Sequence, residues 1–88
     1  MSILALTLTL CSAVQCDDYI IDHTLPGQAA ECNARLVEEA EEWGDAWVST
    51  NADTRLTRYL SRFNIQVDPR FVFDYDFTCQ LIAEDELP

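Results

Sequence analysis

Two alternating stretches and one helical repeat organise the chain. In the opening SILALTLTLC, Leu4, Leu6, Leu8 and Leu10 fall on one side, and Ala5, Thr7, Thr9 and Cys11 on the other. Alternation of period two with threonine is a strand pattern. Residues 12–15 have a common hairpin-loop length, and Cys16–Thr24 returns antiparallel. Setting Cys11 opposite Cys16 puts Leu8 opposite Tyr19, Leu6 opposite Ile21 and Leu4 opposite His23 on the core side. The other side carries Thr9 with Asp18 and Ala5 with Asp22, and a one-residue slip would bury both aspartates. RFVFDYDFTCQLI alternates again, with Phe71, Phe73, Tyr75, Phe77, Cys79 and Leu81 inward and Val72, Asp74, Asp76, Thr78, Gln80 and Ile82 outward. The closing AEDELP reads as a charged, frayed tail.

Between the hairpin and the last strand the period changes to that of a helix. In TLPGQAAECNARLVEEAEEWGDAW, Ala29, Cys32, Leu36, Ala40, Trp43 and Trp47 step by three or four and share a face. Thr24 is placed to cap this helix, with Pro26 in its first turn. Glu31, Arg35, Glu38, Glu42 and Asp45 form a second stripe, and Glu39 and Glu41 widen its acidic side. STNAD breaks the helix. A shorter helix follows from Asp53 to Phe63, with Leu56, Tyr59, Leu60 and Phe63 apolar and Arg55, Arg58 and Arg62 in a basic stripe. Pro69 forbids further helix beyond NIQVDP.

The element order β-β-α-α-β predicts a single α+β domain over residues 1–88. A three-stranded antiparallel sheet in the order 2-1-3 is covered on one face by a long and a short helix. The first strand is the most apolar and takes the centre. The reverse face is expected to be open, polar and acidic, with Thr7, Thr9, Asp18, Asp22, Asp74 and Asp76.

Charge narrows the choice of partners. Sixteen acids against five bases give a net charge of −11, and every base is arginine. Such a surface repels nucleic acid and anionic membranes and attracts a basic protein surface. No run of about 18 or more apolar residues is present to span a membrane. The opening stretch lacks the basic start of a secretory signal, since the first base is Arg35. SAVQC has the look of a lipoprotein cleavage site, but without that basic start the stretch is expected to remain as a strand of a cytoplasmic protein.

Candidate chemistry is sparse. Cys11, Cys16, Cys32 and Cys79 lack the paired short spacings of a structural zinc site. Cys11 and Cys16 are close enough to bridge across the hairpin, and Cys32 and Cys79 could meet in the core. In a reducing cytoplasm the default is free thiols. His23, the lone histidine, reads as structural. Asp74 and Asp76 share an open strand face where solvent keeps both ionised, so they do not form an acid–base pair. No catalytic, cofactor-binding or metal-binding residue is assigned, and no enzyme is expected. Trp43 and Trp47 read as core.

The first 40 residues resemble a family of short, functionally uncharacterised proteins of lambdoid phages and prophages of enteric bacteria. The resemblance rests on the leucine-rich opening, Cys11 and Cys16 across a short loop, DDYIID closing the hairpin, and AEC at the start of a helix. The chain departs from that pattern after Trp43. The resemblance implies a small phage accessory protein made in the host cytoplasm.

These features suggest an interaction protein that binds and inhibits a host protein with a cationic surface, such as a nuclease or nucleic-acid-binding defence complex. Glu31, Glu38, Glu39, Glu42 and Asp45 on the helix, with Asp74 and Asp76 on the last strand, would stand in for backbone phosphates. Arg35 interrupts that stripe. The arginine stripe has a plainer role in pairing with Glu38, Glu42 or Asp45, which contributes about 0–1 kcal/mol per exposed pair. The alternative is a regulatory or structural module docking by its open sheet face or a free edge. A third reading is a secreted, disulfide-stapled protein.

Overall fold

Alternation in three segments builds a sheet, and two amphipathic helices close one side of it. The computed structural model describes residues 2–83: strands β1 (Ser2–Cys11) and β2 (Cys16–Thr24), helices α1 (Ala29–Trp47) and α2 (Ala52–Arg62), a 3₁₀ turn (Pro69–Phe71) and strand β3 (Asp74–Ala83). The sheet is antiparallel with order β2-β1-β3. β1 occupies the centre as its apolar content demands, with Leu6, Leu8 and Leu10 buried. All but Ala83 of the charged tail lies outside the described residues.

The hairpin register is as expected from Cys11↔Cys16 to Leu8↔Tyr19, continues through Thr7↔Ile20, and then breaks at a bulge. Beyond it Leu6 faces Asp22, Ala5 faces His23 and Leu4 faces Thr24. Ile21 is the extra residue, so the expected Leu6–Ile21 and Leu4–His23 pairs do not form. A bulge shifts every later side chain to the other face. Asp22 therefore leaves the open face for the helix-covered one, where Arg35 Nε donates to its Oδ2 at 3.2 Å. Ile21 still packs against the core.

α1 starts later than the cap residues suggested. β2 runs through Thr24, and Leu25 to Gln28 form a turn in which the Gln28 N–H donates to the Leu25 carbonyl at 2.9 Å. Gln28 Oε1 accepts in return from the Leu25 N–H at 3.1 Å. Thr24 is thus a strand residue, Pro26 a turn residue, and Ala29 is exposed. The buried face of α1 comprises Cys32, Glu39, Trp43 and Ala46, flanked by half-buried Leu36, Ala40 and Trp47.

α2 buries Leu56, Tyr59 and Leu60. It ends where Asn64 adopts a left-handed φ of 61°. The Ile65 N–H donates to the Leu60 carbonyl at 3.0 Å and the Asn64 N–H to that of Ser61 at 3.2 Å. That paired closure satisfies two helix-end carbonyls, and Asn tolerates the left-handed position better than most residues. Leu60 and Ile65 then share the core cluster.

The aromatic alternation before β3 does not hold. Phe71 and Phe73 are 65% and 66% exposed, and Val72 is buried in their place. The 3₁₀ turn replaces the start of the expected strand: Asp68 Oδ1 accepts from the Arg70 N–H at 3.0 Å, and the Val72 N–H donates to the Pro69 carbonyl at 3.2 Å. Val72 joins the core cluster while Asp74, two residues on, pairs with Cys11 on the open face, so the alternation breaks between Val72 and Asp74. Phe77 is buried and Tyr75 half-buried, as expected. Leu81 is exposed because it pairs with Leu4, one step past the Leu6–Cys79 row that the start of α1 covers.

Trp43 centres the core, fully buried, with ring centroids 5.3 Å from Tyr59, 5.6 Å from Tyr75 and 6.2 Å from Trp47. These distances lie in the favourable range for aromatic pairs. All four cysteines are bonded, Cys11 to Cys16 across the hairpin and Cys32 to Cys79 between α1 and β3. The expectation of free thiols gives way to two bridges.

Phe77→Ala is expected to cost about 3–5 kcal/mol, as for a buried aromatic. Phe73→Ala should stay within about 0.5 kcal/mol of the parent, as for an exposed position. Urea unfolding of both variants checks the assignment.

The two bridges enclose loops of very different size, with sequence separations of 47 for Cys32–Cys79 and 5 for Cys11–Cys16. In the chain-entropy account they contribute about 4 and about 2 kcal/mol respectively. Replacing both cysteines of each pair by alanine should therefore lower the urea midpoint more for the α1–β3 pair.

Candidate functional site

The acidic stripe of α1 does not face solvent as one surface. Glu39 is 3% exposed, because it lies on the same helical face as Cys32, Trp43 and Ala46. A buried carboxylate is costly unless it is paired and hydrogen-bonded. Here Tyr59 Oη donates to Oε2 at 2.6 Å, Arg35 Nη1 donates to Oε1 at 2.8 Å, and Arg62 Nη2 lies 3.7 Å from Oε2. Glu39 is thus held within the fold, and it does not stand on the partner-binding surface expected for it.

Its neighbours are partly committed as well. Arg62 Nη2 donates to Glu42 Oε2 at 2.9 Å, and Arg35 Nη1 stands 3.8 Å from Glu38 Oε2. Asp45 is exposed, and its backbone carbonyl accepts from Arg55 Nη1 at 3.3 Å. Glu31 is exposed in the first turn of α1, where the helix dipole favours an acid. The intramolecular role of the arginine stripe is therefore realised at Arg62 and Glu42, joining α2 to α1.

Asp74 and Asp76 lie elsewhere, on the sheet face away from the helices. Register places Asp18, Thr9 and Asp76 in one cross-strand row, and Cys16, Cys11 and Asp74 in the next. Thr9 Oγ1 donates to Asp18 Oδ1 at 2.6 Å. Asp74 and Asp76 each accept from the backbone N–H of the following residue at 2.9 Å. Toward the other end of this face the rows read Ile20, Thr7, Thr78, then His23, Ala5, Gln80, then Ile3 with Ile82. Thr7 and Ala5, on the central strand, are buried. The acids therefore gather at the hairpin end, and no strand carries an arginine or lysine.

That same end exposes large apolar groups. The Phe73 N–H donates to the Cys11 carbonyl at 2.8 Å, which sets Phe73 beside the hairpin loop. Val14 at the loop tip is 89% exposed. Period-two reading hid Phe71 and Phe73, although VDP followed by RF was a signal that the strand starts only after Pro69.

Among the described residues no group of three His, Cys, Asp or Glu side chains is placed to hold a metal ion. No described helix is long and apolar enough to cross a membrane. Compared with family models, with curated proteins and with solved structures, the chain matches none.

Tyr59 reports on the Glu39 network. Burial first, then its hydrogen bond to the Glu39 carboxylate, raises its hydroxyl well above the ordinary tyrosine value. An unfolded chain releases that proton near pH 10. Above that pH the folded state binds more protons than the unfolded one, so stability falls as pH rises. The contribution is complete below about pH 10 and is lost progressively above it. Tyr59→Phe should cost about 1–3 kcal/mol at neutral pH, since Glu39 loses its shortest donor. The variant's stability should also decline less steeply than the parent's above pH 10. Chemical unfolding across that range is the check.

Proposed function

We propose that the protein is a non-enzymatic interaction module that docks the hairpin end of its open sheet face onto a basic, apolar-pocketed surface of a partner protein. The observation that carries this reading is the coincidence at one end of Asp18, Asp74 and Asp76 with exposed Phe73, bonded to Cys11, and exposed Phe71, which lines a hollow with Leu10, Ser12 and Tyr19. Exposed aromatics are the usual energetic anchors of protein interfaces, and a ring of like charge supplies steering and orientation. Occlusion of a cationic groove is the expected consequence for a partner that binds nucleic acid. Phosphate mimicry by α1 is the weaker version, because Glu39 is buried and Glu42 is held by Arg62.

The cysteine pairing supports action where disulfides persist, an oxidising compartment, over the reducing cytoplasm. Small domains with modest cores commonly rely on such bridges.

Capture of partners from lysate at low and high salt, followed by affinity measurement on the captured protein, tests the surface. Asp74→Asn with Asp76→Asn should slow association and flatten its salt dependence. Phe71→Ala with Phe73→Ala should weaken binding roughly tenfold or more with the salt slope unchanged. Glu38→Gln with Glu42→Gln should leave both nearly as in the parent. Loss of binding in the helix variant, with the two sheet-end variants unaffected, would move the contact surface to α1.

A further inference from the structure

The arginine stripe of α2 is only partly used by the fold. Arg55, Arg58 and Arg62 line a cleft of about 170 Å³ between α1 and α2, with Glu42, Ala46 and Tyr59 completing its walls. Three of the five bases of a strongly acidic chain meet there. Residues three and four apart on a helix are neighbours, and like charges so placed repel. Only Arg62 has carboxylates within ion-pair distance; among the described residues Arg55 and Arg58 have none.

The guanidinium groups are also oriented. Arg62 lies over the Tyr59 ring at 5.0 Å from its centroid and is held by Glu42 at 2.9 Å. Arg55 is tethered through Nη1 to the Asp45 carbonyl at 3.3 Å. Each retains further N–H donors, and the exposed Arg58 keeps its whole fork. Planar forks of this kind suit bidentate recognition of oxyanions.

From the cleft's charge and size we infer that it is a binding site for a phosphate group: Arg62 is shared with Glu42 and Glu39, and Arg55 and Arg58 add two guanidiniums with no carboxylate partner among the described residues. The cleft's volume of about 170 Å³ far exceeds the roughly 10–15 Å³ that a single water needs, so a tetrahedral headgroup fits. It falls below the roughly 300–1,000 Å³ of pockets that enclose a whole small molecule. The ligand is therefore a free phosphate or the terminal phosphate of a phosphomonoester whose remainder stays outside. This site is separate from the sheet surface, and its failure leaves that reading untouched.

The test is a titration of the full chain with inorganic phosphate, glycerol phosphate and acetate at constant ionic strength, followed by arginine Nε–Hε resonances. Phosphate should shift the Arg58 and Arg62 signals saturably, and acetate should do so far more weakly. Arg58 is exposed and unpaired, so Arg58→Gln should retain the parent's melting temperature and weaken phosphate binding roughly tenfold or more. Arg55→Gln, which also gives up the bond to the Asp45 carbonyl and so some stability, should weaken phosphate binding by a similar factor. Tighter binding of glycerol phosphate assigns the site to a phosphomonoester; equal or weaker binding assigns it to free phosphate. Shifts that fail to saturate, that match those with acetate, or that persist in both variants would overturn the site.

Discussion

A single buried carboxylate links three elements of this fold. Glu39 accepts from Tyr59 of α2 and from Arg35 of its own helix, and Arg35 reaches on to Asp22 of β2. Arg62 closes the set by reaching both Glu39 and Glu42. Removing one member of a buried ionic group leaves the others without compensation, so such networks fix one arrangement more than they add stability. The β2 bulge belongs to the same constraint. Without it Asp22 would lie on the far face of the sheet, and Arg35 would lose a partner.

This network also separates the protein's charges. Every arginine lies on a helix or on the 3₁₀ turn, and every strand acid except Asp22 and Asp17 lies on the open face. Asp22, drawn to the helix side, meets Arg35, whereas Asp18, Asp74 and Asp76 on the open face accept only from Thr9 and from backbone N–H groups. The acidic face at the hairpin end and the arginine-lined cleft between α1 and α2 arise from that separation.

Much of the architecture was legible in the sequence. Alternation in β1 and β3 and the three-four stepping of both helices were enough to derive β-β-α-α-β, the β2-β1-β3 order and the hairpin loop. What escaped were the places where one residue changes phase. Ile21 carries no mark of a bulge, since either of two adjacent isoleucines could pair with Thr7. Phe73 continues the aromatic alternation perfectly and is nevertheless exposed, because β3 begins only at Asp74 and Phe73 stands just before it. Glu39 was misplaced for a different reason: grouping α1 by residue type hid that 32, 36, 39, 43 and 46 also step as one face. The cysteine pairs were geometrically visible as partners, but their oxidation was not, because spacing says nothing of redox state.

The pairing of Ser2 with Ala83 brings the two ends of the described chain to the same end of the sheet, far from the hairpin loop. A force applied between these ends would load the β1–β3 ladder one rung at a time, like a zip, rather than shear all rungs together. Peeling would proceed from Ile3↔Ile82 and reach Leu6↔Cys79. There the bond to Cys32 diverts tension from β3 into α1. The hairpin end, with its exposed aromatics and acids, sits beyond that covalent stop. A tether on either terminus would therefore fray the sheet from one side and leave the opposite end in its folded shape.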